Sequence, residues 1–240
     1  MAYKARGFWK LTAVICIVAL TGLMSFELLC VNNLEVIGNK RISAEAIKAL
    51  SGITPGQNML KVNAKDVASA LSRNPYIKLE DIERQFPDTV ILHVFERKQR
   101  AVVDYLGAYI CIDELGTILK TDASPDLKAF PKITGLDISG VQAGEAIECR
   151  DETQTMALCG LLEFLVAKKR ISSVASIDMG DTGNIKLRLR SGYDVMLGKA
   201  EDLETKFLWV DAMLPELAQR SLESGTLDVT GTKSATYTPN

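Results

Sequence analysis

The chain has 240 residues, with 28 Lys plus Arg against 30 Asp plus Glu, a formal net charge of −2 and a single histidine. That balance gives no sign of the clustered basic surface that nucleic-acid binding needs, and 47 % hydrophobic with 24 % charged residues is an ordinary globular composition. The length suits one or two compact domains once a membrane segment is set aside.

The first ten residues hold Lys4, Arg6 and Lys10 and no acid. Residues 11–31, LTAVICIVALTGLMSFELLCV, are uncharged except for Glu27 near the far end. At ~1.5 Å per residue this run spans roughly 31 Å as a helix, about the hydrocarbon thickness of a bilayer. Trp9 stands where an interfacial aromatic belongs. A cleaved signal peptide has a shorter apolar core and a small-residue site, whereas Ala19-Leu20-Thr21 is a poor site inside the run. A lipoprotein signal needs small residues before its cysteine, and Cys30 follows Glu27-Leu28-Leu29. The expectation is an uncleaved anchor over 11–31 in the lipid bilayer, with 1–10 inside and the remainder outside.

Residues 34–37 read as a strand closed by Gly38-Asn39. Ser43 is placed to cap a helix, with Ile42 and Ile47 as a hydrophobic staple, Glu45 in the first turn and Gly52 as the stop. After the turn ITPGQN the device recurs. Asn63 is the cap, Asp66 follows three residues later, and Val62 and Val67 form the staple. Val67, Ala68 and Leu71 form one apolar face, and Asn74-Pro75 ends the helix. Helices this short need local packing. Residues 76–85 and 89–96 supply it as strands joined by Phe-Pro-Asp. Val90, Leu92 and Val94 share a face, and the broken parity of Ile77, Leu79 and Ile82 predicts a bulge near Glu80-Asp81. The order β-α-α-β-β packs most economically as a three-stranded sheet with two helices on one face.

Residues 100–120 read as a meander through Gly107 and a DELG turn, and residues 124–135 as a loop with two prolines. Residues 151–170 form a helix with acids first and Lys168-Lys169-Arg170 last. Residues 171–179 and 184–190 make a hairpin, with Ile185, Leu187 and Leu189 inward and Lys186, Arg188 and Arg190 outward. Residues 191–198 return as a strand. In the helix over 199–219, Leu203, Phe207, Val210, Leu214 and Leu217 form a core stripe. GTLDVTGTK, residues 225–233, is the last short strand.

This succession resembles the FtsQ/DivIB bacterial cell-division family. The residues that carry the resemblance are LEVIGNKRISAEAI, GITPGQNMLKVN and NPYIKLEDIERQFPDTVILHVFER in the first half, then YICIDELGTI, FPKITG, LRSGYDVMLG and LETKFLWVDAML. The chain departs from the family pattern at Gln99, where a proline is frequent, and after Leu227-Asp228-Val229, where Thr230-Gly231 replace Arg and Tyr. The resemblance implies an α+β architecture: a cytoplasmic N-terminus over 1–10, a single transmembrane helix over 11–31, and a POTRA-like β-α-α-β-β domain over 32–98. A mainly antiparallel β domain with two flanking helices follows over 99–232, and a C-terminal tail over 233–240.

Catalytic chemistry finds little footing. His93 alternates with Ile91 and Phe95 on a strand and reads as structural. No context pairs it with Cys111, Cys149 or Cys159 in a Cys-His dyad. No G-x-S-x-G elbow or phosphate-cradling loop is present. Asp113-Glu114 read as a solvated turn rather than paired catalytic carboxylates. The three cysteines beyond the anchor lack metal-like spacing and read as buried apolar side chains, with one disulfide plus a free thiol as the alternative. No cofactor and no small-molecule substrate are expected. The Lys186, Arg188, Arg190 row is either a solvated face or a contact for acidic lipid, wall polymer or a partner.

What remains is binding at an exposed sheet edge through main-chain hydrogen bonds. The resemblance implies that the C-terminal edge receives an FtsB/DivIC-like partner in company with an FtsL-like one. By position this assigns Thr226, Leu227, Asp228, Val229 and Thr230. The expected function is a non-enzymatic, bitopic scaffold of the divisome. A POTRA-bearing export or chaperoning factor and a membrane-anchored enzyme are the alternatives. A backbone-mediated mode predicts that proline at Leu227 or Val229 abolishes capture while the domain stays folded. Val31-Asn32-Asn33 leave little slack, which sets the first domain close to the bilayer.

Overall fold

A computed structural model describes residues 29–239. The expected N-terminus over 1–10 and nearly all of the expected anchor over 11–31 lie outside the described residues. Among the described residues no helix is long and apolar enough to cross a membrane. The chain divides into two units between Glu96 and Arg97.

The N-terminal unit contains β1 (Asn33–Ile37), α1 (Ala44–Ser51), a 3-10 turn (Met59–Lys61), α2 (Ala64–Leu71), β2 (Ile77–Gln85) and β3 (Thr89–Glu96). Both helices start as their caps dictate. Ser43 accepts a bond from the Ala46 amide at 3.2 Å, and Asn63 Oδ1 accepts one from the Lys65 amide at 3.0 Å. Gly52, at φ 73°, ends α1. The sheet order is β1-β3-β2, with β1 parallel and β2 antiparallel to the central strand. The expected bulge is a register shift between Leu79 and Asp81.

Val90, Leu92 and Val94 turn one face of β3 into a core with Ile47, Val67 and Leu71. Burying each Leu, Ile or Val contributes about 1.5–3 kcal/mol. Two local expectations need correction. Ala68 is exposed, so the buried seam of α2 is Val67 and Leu71 at i, i+4. The inter-helix segment is more than a turn, because Asn58 caps the 3-10 turn and sends Met59 fully into the core.

The segment between β1 and α1 is organised by one side chain. The buried Glu96 carboxylate accepts bonds from the amides of Lys40, Arg41 and Ile42 at 2.6, 2.9 and 2.9 Å through Oε1, and a second from Arg41 at 2.9 Å through Oε2. Burial works to raise its pKa. The amides of Ile42, Lys40 and Arg41 together outweigh that, and the net shift is downward. Gly38 makes the approach possible, because at φ 99° a Cβ there would lie 2.0 Å from the Val94 carbonyl oxygen.

The C-terminal unit is built on a nine-stranded sheet of order β14-β13-β12-β11-β10-β7-β4-β5-β6. Its strands are β4 (Ala101–Tyr105), β5 (Ala108–Ile112), β6 (Ile118–Asp122), β7 (Lys132–Thr134), β10 (Val174–Asp178), β11 (Ile185–Leu189), β12 (Tyr193–Gly198), β13 (Gly225–Asp228) and β14 (Thr236–Thr238). A small hairpin, β8 (Ile138–Gly140) with β9 (Glu148–Cys149), lies apart. Five of the eight pairings are antiparallel. Helices α3 (Glu152–Ala167) and α4 (Leu203–Gln219) contribute Leu158, Leu161, Leu162, Leu165, Phe207, Val210 and Leu217 to the core.

Residues 124–135 are not simply a loop. Lys132–Thr134 form β7, the strand that joins the two halves of the sheet, parallel to β4 on one side and β10 on the other. Buried Gln154 at the start of α3 braces this junction. Its Oε1 accepts from the Asp137 amide at 2.9 Å, and its Nε2 donates to the carbonyls of Gly135 and Met179, each at 2.9 Å. Helix α3 ends at Ala167, before the three bases; Lys169 at φ 56° turns the chain, and Arg170 pairs with Asp211 on α4. The 3-10 turn Ile171–Ser173 then delays the start of β10.

The DELG turn is not fully solvated. Asp113 is 2 % exposed. Its Oδ1 accepts from the amides of Leu115 and Thr117 at 3.0 and 2.7 Å, and its Oδ2 from Arg97 at 3.1 Å. Glu114 pairs separately with Arg100 at 3.0 Å. Each carboxylate is committed to its own cation, so the two do not form a shared acid–base pair. Cys111, Cys149 and Cys159 are free thiols, the first two buried, so the alternative disulfide is not formed.

Candidate partner interface at the C-terminal sheet edge

The residues assigned to partner capture lie together in the third dimension, but not as an edge. β13 runs parallel to β12, pairing Thr226 with Asp194 and Leu227 with Val195. On its other side β14 pairs antiparallel, Thr226 with Thr238, Leu227 with Tyr237 and Asp228 with Thr236. β13 is therefore an interior strand, and the outermost strand comes from the segment expected to be a tail. The signal for it was the β-branched and aromatic run Thr-Tyr-Thr, too short to register as a strand by periodicity.

Alternation along β13 and the two residues after it sorts the five assigned residues. Leu227 and Val229 are 0 % exposed in the core, whereas Asp228 and Thr230 are exposed and Thr226 is half-buried. Val229 is tied further by its amide to the Met196 carbonyl at 3.0 Å. Asp228 Oδ1 then accepts from the Thr230 amide at 3.0 Å and hydroxyl at 2.7 Å, which turns the chain out of the strand. This overturns the expected effect of proline at Leu227 or Val229. Either substitution removes a buried side chain and damages folding before it can report on a partner. Leu227→Ala is expected to destabilise the C-terminal unit by about 2–5 kcal/mol. An unchanged urea midpoint for that variant would contradict the placement of Leu227 in the core.

β14 is held by a small set of contacts. Tyr237 packs against the core cluster, and its hydroxyl donates to the Ser224 carbonyl at 2.8 Å. The ring lies across Gly225, where a Cβ would meet Tyr237 Cε2 at 2.4 Å; only glycine leaves this slot open. Trp209 Nε1 on α4 donates to the Thr232 carbonyl at 3.2 Å, steadying the connection. The flanks of β14, Thr236 and Thr238, are exposed. Among the described residues the strand has no neighbour on its outer side in the sheet order, so its outer main-chain donors and acceptors are open to pairing.

Other candidates are weaker. On the outward row of β11, Arg188 pairs with Asp194 at 2.6 Å, and Arg190 donates to the Ser172 carbonyl at 3.0 Å, leaving Lys186 as its more open member. Buried Lys206 donates to the carbonyls of Leu197 and Lys199 at 2.9 and 2.7 Å and serves as a structural tie between α4 and β12. His93 lies 3.1 Å from Glu83 across the β2–β3 ladder, a surface pair. Among the described residues no group of three metal-ligating side chains occurs.

With this geometry in place, comparison with known proteins is decisive about kinship. Residues 29–97 match the family model of the FtsQ-type POTRA domain, and residues 101–230 match that of the cell division protein FtsQ/DivIB C-terminal domain. The chain belongs to the FtsQ/DivIB family. Cell division protein FtsQ of Syntrophotalea carbinolica is 28 % identical over 216 residues, covering 88 % of this chain and 75 % of that one. FtsQ of a Geobacter species is 38 % identical over 108 residues, 45 % of this chain and 39 % of the relative. DivIB of Geobacillus kaustophilus is 37 % identical over 94 residues, 39 % of this chain and 36 % of the relative. A solved structure of the major extracytoplasmic domain of DivIB from Geobacillus stearothermophilus aligns at 17 % identity with a TM-score of 0.34, too weak a likeness to bear on this fold. The FtsQ/DivIB C-terminal match stops at residue 230, so β14 lies beyond it.

Proposed function

We propose that this FtsQ/DivIB chain is a non-enzymatic, single-pass membrane scaffold of the division machinery, with its N-terminus inside and both described units outside. It binds FtsB/DivIC-like and FtsL-like bitopic proteins and supports septum formation and septal wall synthesis. The observation that carries the reading is the match of both units, in order, to FtsQ-type models. The match over residues 101–230 favours it over an export factor.

In this reading the partner's strand adds to the outer edge of β14. Thr226, Leu227, Asp228, Val229 and Thr230 belong to the same receiving segment. Leu227 and Val229 anchor it in the core, while Thr226, Asp228 and Thr230 hold the register and the turn on which β14 depends. The departures from the family pattern after Val229 are tolerable, because main-chain pairing depends little on side-chain identity.

A tagged full-length chain is expected at the septum of dividing cells and in complex with FtsL- and FtsB-like proteins. A diffuse envelope signal with neither partner co-purifying overturns the proposal. A reporter fused after residue 240 that is active only in the cytoplasm overturns the orientation.

A further inference from the structure

Three segments of the N-terminal unit converge where the chain enters it from the apolar run of residues 11–31. The entry segment pairs with the inter-helix loop. The Met59 amide donates to the Leu29 carbonyl at 2.8 Å, the Val31 amide to the Gln57 carbonyl at 2.8 Å, and the Gly56 amide to the Val31 carbonyl at 2.9 Å. The same entry segment is tied to the β2–β3 hairpin tip, since the amides of Asn32 and Asn33 donate to the Asp88 carbonyl at 2.9 and 3.2 Å. Arg84 locks loop to hairpin by donating to the carbonyls of Met59 and Val62 at 3.1 and 2.7 Å.

The loop and the hairpin tip each carry a large apolar side chain that the unit does not bury. Leu60 is 60 % exposed and Phe86 is 64 % exposed. Charge at this end is sparse. Besides Cys30, residues 29–33, 54–61 and 85–89 hold one acid, Asp88, and one base, Lys61; the Asp88 carboxylate accepts from Asn32 and Thr89, and the adjoining Arg84 is turned onto the Met59 and Val62 carbonyls. The segment of Leu60 is bonded to Leu29 and Val31 at the end of the apolar run, and that of Phe86 to Asn32 and Asn33 just after it, which distinguishes both from scattered surface hydrophobes. Ile37, 49 % exposed, is their internal contrast, at the opposite end of β1 and ~13 Å along the strand from Asn33.

We infer that this end of the N-terminal unit is itself seated in the lipid bilayer interface, with Phe86 and Leu60 entering the boundary between headgroups and acyl chains. The inference rests on the proposed anchor and goes beyond it. The anchor only keeps the unit near the membrane, whereas two further side chains fix which end faces the lipid. Three points of attachment, the chain entry, the loop and the hairpin tip, define an orientation that a single span cannot.

The test uses the full chain in proteoliposomes, in a background where Trp9 and Trp209 are replaced by Phe, with single tryptophans and lipids brominated along the acyl chain. Leu20→Trp reports on the anchor; Phe86→Trp and Leu60→Trp report on the inference; Ile37→Trp is the contrast. The expected result is loss of emission at 20, 86 and 60 with emission retained at 37. Loss at 20 with no greater loss at 86 and 60 than at 37 overturns the inference and leaves the anchor standing, and equal loss at all four positions does the same. Retained emission at 20 removes the anchor and the inference together.

Discussion

Removing residues 235–240 is expected to abolish capture of an FtsB/DivIC-like partner while the C-terminal unit remains folded. The two halves of this expectation have separate physical grounds. Folding survives because the core of this corner is supplied by Leu227 and Val229 on the preceding segment, both 0 % exposed. β14 contributes three residues of ladder and the half-buried ring of Tyr237. Capture fails because the outer main chain of β14 is removed. An added strand gains through main-chain hydrogen bonds, each worth about 0.5–1.5 kcal/mol net, so three or four of them give about 1.5–6 kcal/mol, roughly 10- to 20,000-fold in Kd. Calorimetric titration of the partner's soluble segment against intact and truncated chains, beside their thermal melts, checks both halves. A truncated chain that melts as the intact one does and binds with unchanged Kd would falsify the assignment of β14. Leu227→Ala should give the complementary pattern, a lower melting point with unchanged Kd for the folded fraction.

Glu96→Ala is expected to be among the most damaging single changes in the N-terminal unit. It removes the acceptor of the Lys40, Arg41 and Ile42 amides together. A buried donor left without a partner costs about 1–3 kcal/mol, and these amides are only partly buried, so water recovers some of the loss; about 2–4 kcal/mol is expected. Glu96→Gln keeps the shape and one acceptor oxygen but brings an amide group against amide donors, and should cost less.

The pH dependence has a definite sign. The folded pKa of Glu96 is depressed, so its contribution is present in full above the ordinary carboxylate value of about 4.3 and is lost as pH falls through the lower folded value. The wild-type unit should therefore lose stability in acid through this group, and Glu96→Gln should show a shallower acid limb. Urea unfolding between neutral and acid pH measures both effects. Equal acid sensitivity in the two proteins would show that Glu96 is not responsible.

Much of the N-terminal unit was legible from residue order. Ser43, Asn63 and Gly52 act on backbone groups within three positions of themselves, and the alternation of Val90, Leu92 and Val94 is set by the pleat. The bulge at Leu79–Asp81 was visible as a break in that alternation. Ala68 was misplaced because an eight-residue helix offers too few turns to fix its buried direction from pattern alone. Glu96 stands in the stretch NPYIKLEDIERQFPDTVILHVFER that carries the resemblance, but residue order does not show what it does, because the amides it binds lie more than fifty positions away.

The C-terminal unit divides in the same way. The phases of β11 and α4 were written in the 2.0 and 3.6 periods of their side chains. β7 and β14 were not, since three residues contain no measurable period. Asp113 reads as a solvated turn residue in the sequence because Arg97, which pairs with it, lies sixteen positions away.

The sequence by itself determined the helix starts and stops, the faces of the longer strands and membership of the FtsQ/DivIB family, because caps, turns and side-chain periods act between near neighbours and leave their mark in residue order. Only the tertiary structure decided that Lys132–Thr134 lie inside the sheet, between β4 and β10, and that Thr236–Thr238, rather than residues 226–230, form one of its rims. Whether a strand is central or an edge is a property of what pairs beside it, and those neighbours come from distant parts of the chain.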